Sequence, residues 1–277
     1  MDYTPQQLMG HKSYNPRVRI GNWNEDIKLS DTRFNEFLTL RENQALPSHT
    51  MKRKFVHHTS EVESSAVAEH GFVQFGDRLM TKSVHNGGLL SVDLDSKLHH
   101  VQERYAITCS RTTSPDQQPS PTARSVFIIE SVPSKDDVFY TQEGEENILH
   151  YGQHFRLKCV PEFHEQLFLR SEKATPSCYS KVSNNQEVSV DNAINFSNEW
   201  RVQYLDPKFR FEMEGEPVQA NTPFLMTHCA SNQNLCTSVQ HLVLNDFGKE
   251  IEVCCRNMLD SHNAEQNNNH WIFVYNK

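Results

Sequence analysis

The chain has 277 residues, 36% of them hydrophobic and 22% charged, with a formal net charge of −8. That length can bury a core without staples, and no run approaches the ~18 apolar residues a membrane span needs. Residues 1–58 hold nine Lys/Arg against six Asp/Glu, and the remainder 18 against 29, so the acidic body is a poor match for a phosphate backbone.

Seven cysteines, an odd number without a CxxC pair, read as reduced thiols of an intracellular compartment. The opening MDYTPQQLMGHK has neither an apolar signal core nor a myristoylation glycine. A soluble, intracellular protein with no nucleic-acid or membrane partner is the expectation.

In chain order, residues 1–67 read as an N-terminal arm. Pro5, Gly10 and Pro16 make its start irregular, and NPRVRIGNWNED follows at 15–26. The pattern predicts one helix near 30–46, capped by Ser30 or Asp31, striped by Phe34, Phe37 and Leu38, and stopped by Pro47. The polar stretch after it, PSHTMKRKFVHHTSEVESSAV, is expected to be extended.

From residue 68 the chain repeats itself. NEWRVQY at 198–204 and NHWIFVY at 269–275 put Asn two places before Trp, and SVFIIE at 125–130 carries Phe127 where the others carry Trp200 and Trp271. FGDRLMT, YGQHFRL and NTPFLMT each place a turn before an alternating strand, and Leu79, Phe155 and Phe224 precede the three aromatics by 48, 45 and 47 residues. Short strands at regular spacing predict an all-β fold. Three repeats of about four strands, near 68–139, 146–213 and 214–277, predict a β-trefoil over 68–277 with Phe127, Trp200 and Trp271 in its core.

Chemistry is hard to find. Asp260, Ser261 and His262 are contiguous, but no Gly-x-Ser-x-Gly elbow is present. His57–His58 and His99–His100, read as strand neighbours, point to opposite faces and cannot chelate one ion. Cys254–Cys255 reads as a strand pair with one thiol inward. Neither a P-loop nor a GxGxxG occurs, so no catalytic, metal or cofactor site is expected. Residues 111–122, with Ser114 and Ser120 before prolines, read as an inserted loop.

The segments ILHYGQHFRLKCVPEFHEQLFLRS and VQANTPFLMTHCASNQNLCTS resemble the MIR-type trefoil pattern. VRIGNWNED at 18–26, FGDRLM at 75–80, LHYGQHF at 149–155, FGKEIEV at 247–253 and LDSHNAEQNNNHWIFV at 259–274 together resemble the cilia- and flagella-associated protein one-sixty-one family. The resemblance implies a non-enzymatic microtubule inner protein of the ciliary or flagellar axoneme. It implies a monomer within a large assembly, touching tubulin and neighbouring inner proteins through loops and the arm. Arg17, Arg19, Asn22, Trp23 and Asn24 are the arm's candidate partner-binding residues, since trefoil packing does not call for that motif. A carbohydrate-binding trefoil and a cytosolic adaptor are the alternatives. Residues 1–16, 111–122 and 266–269 depart from the family pattern.

Overall fold

The structure is a computed structural model and describes residues 23–98, 104–111, 120–133, 147–162 and 166–275. By compactness it divides into two units, Met1–Val56 and His57–Lys277.

Two helices open the described chain, α1 (Trp23–Glu42) and α2 (Pro47–Thr59). The single helix expected at 30–46 is corrected at both ends. Ser30 does not cap; its hydroxyl donates back to the Ile27 carbonyl at 2.8 Å, as Thr32 and Thr39 do to Lys28 and Asn35. The stop is a turn at Gln44, in the left-handed region at φ 52°. Gln44 N–H donates to the Arg41 carbonyl and Ala45 N–H to that of Leu40, a Schellman closure. Pro47 then begins the next helix, where its missing N–H costs nothing. The stretch expected to be extended is therefore helical as far as Thr59.

The strands are β1 (Arg78–Ser83), β2 (Leu90–Lys97), β3 (Tyr105–Cys109), β4 (Val126–Ser131), β5 (His154–Cys159), β6 (Phe168–Ser171), β7 (Gln186–Asp191), β8 (Trp200–Gln203), β9 (Pro223–His228), β10 (Gln233–Asn245), β11 (Gly248–Cys255) and β12 (His270–Val274). A short helix, α3 (Arg210–Met213), sits between β8 and β9. All strands join one 12-stranded sheet. Pairings β1–β4, β4–β5, β5–β8, β8–β9, β9–β12 and β12–β1 run antiparallel around a closed ring. The hairpins β2–β3, β6–β7 and β10–β11 meet one another over one end of it, through β3–β7, β11–β3 and β11–β7.

This corrects the expected β-trefoil of three matching units with one short helix. The segments differ: β10 has 13 residues and β6 has four. β10–β11 slips register between Thr237 and Leu242, and β2–β3 between Asp93 and Lys97. β5 and β6 share the single pair Lys158↔Phe168. Equal marker spacing reports where strands recur; strand length and hydrogen-bond register depend on partners that spacing does not encode.

Ring strands β5, β8 and β12 alternate buried and half-buried residues, because one face packs inward and the other meets water or loops, whereas β9 is buried on both faces from Phe224 to His228. β7 and the second half of β11 are buried on both faces. Consequently Cys254 and Cys255 are both buried, at 3% and 2% exposure, contrary to the one-inward expectation. The turns that lead into β1, β5 and β9 need positive φ, supplied by Gly76 (90°), Gly152 (87°) and Asn221 (58°). Beneath the ring, Val73 N–H donates to the Val218 carbonyl, Val218 N–H to that of Leu149, and Leu149 N–H to that of Val73, each at 2.9 Å. This cycle satisfies buried backbone that has no ladder partner.

Leu79, Phe127, Phe155, Trp200, Phe224 and Trp271 are wholly buried in one core cluster. Trp200 Nε1–H donates to the Leu169 carbonyl and Trp271 Nε1–H to that of Leu235, each at 3.0 Å. The Asn two places earlier shapes the entry turn. Asn198 Oδ1 accepts from Asn195 N–H, while Asn269 Oδ1 accepts from Met258 N–H and its Nδ2 donates to the Leu235 and Arg256 carbonyls.

Trp271→Ala is expected to cost about 3–5 kcal/mol, as for a large aromatic emptied from a core. Trp271→Phe is expected to lose about 0.5–1.5 kcal/mol for the hydrogen bond, because the Leu235 carbonyl loses the indole donor but keeps Asn269 Nδ2. Denaturant midpoints rank the two, and equal midpoints for Trp and Phe discount the indole hydrogen bond.

Candidate docking surface

The charged side chains that hold the hairpins together are mostly committed inward. Arg124, after the loop that leads to β4, donates from Nη1 and Nη2 to the two carboxylate oxygens of Glu250 on β11, at 2.9 and 2.8 Å. Thr108 Oγ1 and Asn245 Nδ2 each donate to Glu250 Oε2 at 2.6 Å. The Arg124 guanidinium also lies 3.8 Å over the Phe247 ring. Burial pushes the Glu250 carboxyl up, but the Arg124 hydrogen bonds and charge, with Thr108 and Asn245, outweigh it and hold it below the ordinary 4.5.

His58, at the end of α2, is fully buried beside this cluster. Its Nε2 accepts the Leu94 N–H at 3.0 Å, and its ring lies 5.2 Å from that of Phe247. His57 and His58 are therefore helix neighbours, with rings T-shaped at 5.6 Å, and not the strand pair expected. A second knot joins Arg170 to Asp191 and Glu172, Arg104 to Glu172, and Asn198 to Asp191. His228 is buried too. Burial holds its pKa below 6.5, and its ring nitrogens meet the Ser197 carbonyl and the Ser231 hydroxyl.

The residues weighed for chemistry fall into structural places. Asp260 Oδ1 accepts from His262 and Ala264 N–H groups, which makes Asp260–Ser261–His262 an exposed turn. Among the described residues no three His, Cys, Asp or Glu side chains gather as metal ligands. No helix among them is long and apolar enough to cross a membrane.

Of the arm residues proposed to bind partners, Arg17, Arg19 and Asn22 lie outside the described residues. Trp23 and Asn24 begin α1, and their side chains also lie outside that set. His99–His100 and Ser114 fall outside it as well, and Ser120 lies at the edge of a described segment.

What remains exposed and apolar gathers on particular loops. Phe211 on α3 is 89% exposed, with Phe209 just before it also exposed. Phe211 lines a pocket of about 210 Å³ together with Tyr151, Arg201, Gln203, Tyr204, Arg210 and Glu214, among others. Tyr151 and Tyr204 meet edge to face at 5.7 Å. Arg210 Nε donates to the Tyr204 carbonyl and its Nη2 to Glu265 at 2.5 Å, which pins α3 to the body. Exposed aromatics beside arginines have the composition of protein-interface centres. The signal in the sequence was KFRF at 208–211, two aromatics in a stretch of Asp, Pro, Lys, Glu and Gly where strand alternation gives them no buried side.

Replacing Arg124 with Met is expected to cost about 3–5 kcal/mol, because it strands a buried carboxylate, whereas the double change Arg124→Met/Glu250→Met costs less. Because the folded pKa of Glu250 lies below its unfolded value, the stabilisation from this pair is complete above about pH 4.5 and is lost as pH falls through the folded value. Glu250→Gln should flatten the fall in stability below about pH 4.5, measured by denaturation across that range. An unchanged slope removes Glu250 from the acid response.

Residues 72–276 match the family described as the cilia- and flagella-associated protein 161-like domain. The zebrafish (Danio rerio) cilia- and flagella-associated protein 161 is 36% identical over 96% of this chain and 89% of its own length. The bovine (Bos taurus) protein of the same name is 33% identical over 96% of this chain and 83% of its own. In three dimensions the chain is similar to an SDF2-like protein from Arabidopsis thaliana, with a TM-score of 0.53 over 73% of this chain and 94% of that one. At 15% identity that likeness speaks for the fold alone. Sequence identity running along nearly the whole chain places it in the cilia- and flagella-associated protein 161 family.

Proposed function

We propose that this chain is a non-enzymatic structural protein of motile cilia and flagella. In this reading it binds the lumenal wall of doublet microtubules, where it contacts tubulin and neighbouring inner proteins and stiffens the axoneme for motility. The observation that carries the reading is identity to ciliary proteins over 96% of the chain, arm included.

The physical chemistry is compatible with that role. The ring closed by the β1–β12 ladder resists distortion, and the surface can act by shape and many modest contacts. Several such contacts in a crowded lattice give lasting attachment by avidity without one tight site. The acidic body has no need of steering toward the acidic outer face of a microtubule.

A tagged copy in ciliated cells is expected along the axoneme, and after membrane removal it should stay with doublets in moderate salt. Diffuse or cortical signal, or release by mild detergent alone, overturns the assignment. Trp23→Ala is expected to weaken retention at least several-fold without moving the melting temperature of the body, read by pelleting with doublets. Wild-type retention of that variant takes the arm out of the binding surface.

A further inference from the structure

We infer that the pocket between Tyr151, β8 and α3 is a socket for an acidic side chain of a neighbouring protein, with an apolar neighbour of that side chain laid on Phe211. The inference rests on the reading above that the chain docks on protein partners, and it names the chemistry of one contact. The pocket's volume, about 210 Å³, is below that of pockets that enclose drug-sized ligands and suits one or two inserted side chains.

Its charges are unequally satisfied. Arg210 is neutralised by Glu265. Arg201 is not: its Nη2 donates to the neutral Asn232 Oδ1 at 2.6 Å, its Nε is buried with no acceptor, and among the described residues no carboxylate lies within ion-pair distance. The nearest acid on its own strand segment, Glu199, is engaged by Arg156 and His154 at 3.1 and 3.2 Å. The Arg201 Nε is sealed from an incoming group, as are those of the paired Arg124, Arg156 and Arg170, so the edge a carboxylate can meet is the Nη side, whose geometry suits it.

Glu214 also lines the pocket, but it is exposed, so water screens its repulsion. Next to this charge the tyrosine pair supplies an apolar wall, and Phe211, 89% exposed, supplies a flat surface that solvent alone does not favour. Together they specify a carboxylate flanked by an aromatic or aliphatic residue.

The direct test uses the full chain and a blocked peptide, acetyl-Phe-Glu-Glu-Phe-amide, with acetyl-Phe-Gln-Gln-Phe-amide as control. Arginine Nε–H resonances are followed by NMR during each titration. The acidic peptide is expected to shift the Arg201 signal saturably and the Gln peptide at least tenfold more weakly. Phe211→Ser, at an exposed position, should weaken the acidic peptide several-fold with the melting temperature unchanged. Arg201→Lys keeps the charge and should retain part of the binding that Arg201→Gln loses.

No shift at millimolar peptide, or equal shifts with both peptides, overturns the socket. Pelleting with doublets separates this from the wider reading. If the wild type pellets and Phe211→Ser pellets equally well, the socket is wrong and the ciliary assignment stands. If the wild type fails to pellet while the peptide still binds, the assignment falls and the socket stands.

Discussion

The first ring strand of this protein must find its last. β1 pairs with β12, from Met80↔Val274 to Ser83↔Trp271, across almost the whole length of the body. Without that ladder the sheet has two raw edges, and the aromatic interior, with the Phe273 ring 4.3 Å from that of Phe224 and 6.2 Å from that of Phe155, opens to water. Closure is a costly contact to form, since a long loop must be ordered before it is rewarded. It is also what gives the molecule a single shape, because every other ring pairing is held between neighbours that closure fixes in place.

The hairpins over one end of the ring rest on a different kind of interaction. Where they meet, β7 and the second half of β11 are buried on both faces, so backbone and polar side chains there must be satisfied inside the protein. Arg124 does this with both Nη groups on the Glu250 carboxylate and Arg170 by bridging Asp191 and Glu172, while Thr108, Asn245 and Asn198 donate to the Glu250 and Asp191 oxygens. Ion pairs so placed add little net stability compared with an apolar core, but breaking one partner is severe. They tie residues distant in sequence into one arrangement, and they take Arg124, Arg170, Asp191 and Glu250 out of contact with water. On the surface, Phe211 shares a pocket with Arg201 and stands 89% exposed.

Much of the body was legible in the sequence because burial on one face writes a period of two. The alternating runs around Leu79, Phe155 and Phe224 lie on β1, β5 and β9, and Phe127, Trp200 and Trp271 lie on β4, β8 and β12, all in the interior. The arm was read less well. Pro47 looks like a stop by composition and is a start by position, because what matters for proline is whether the N–H it lacks was needed. Likewise Ser30 looks like a cap, but a hydroxyl inside a helix can bond the preceding turn instead. The candidate arm contacts Arg17, Arg19 and Asn22 carry no structural account, and the socket at Arg201 was not anticipated at all.

What the sequence alone determined is the identity of the interior: which residues prefer burial, where turns precede strands, and that the chain is β-rich after residue 68. These follow from side-chain chemistry and local backbone sterics, which each residue carries with it. What only the tertiary structure decided is which strands are partners, how far the hairpins differ in length and register, and which charges find a counter-ion. Arg124 and Arg201 are the same residue type, yet one meets Glu250 from 126 positions away and the other meets no carboxylate among the described residues. That difference is set by the distance between groups in space, and no local pattern in a chain records it.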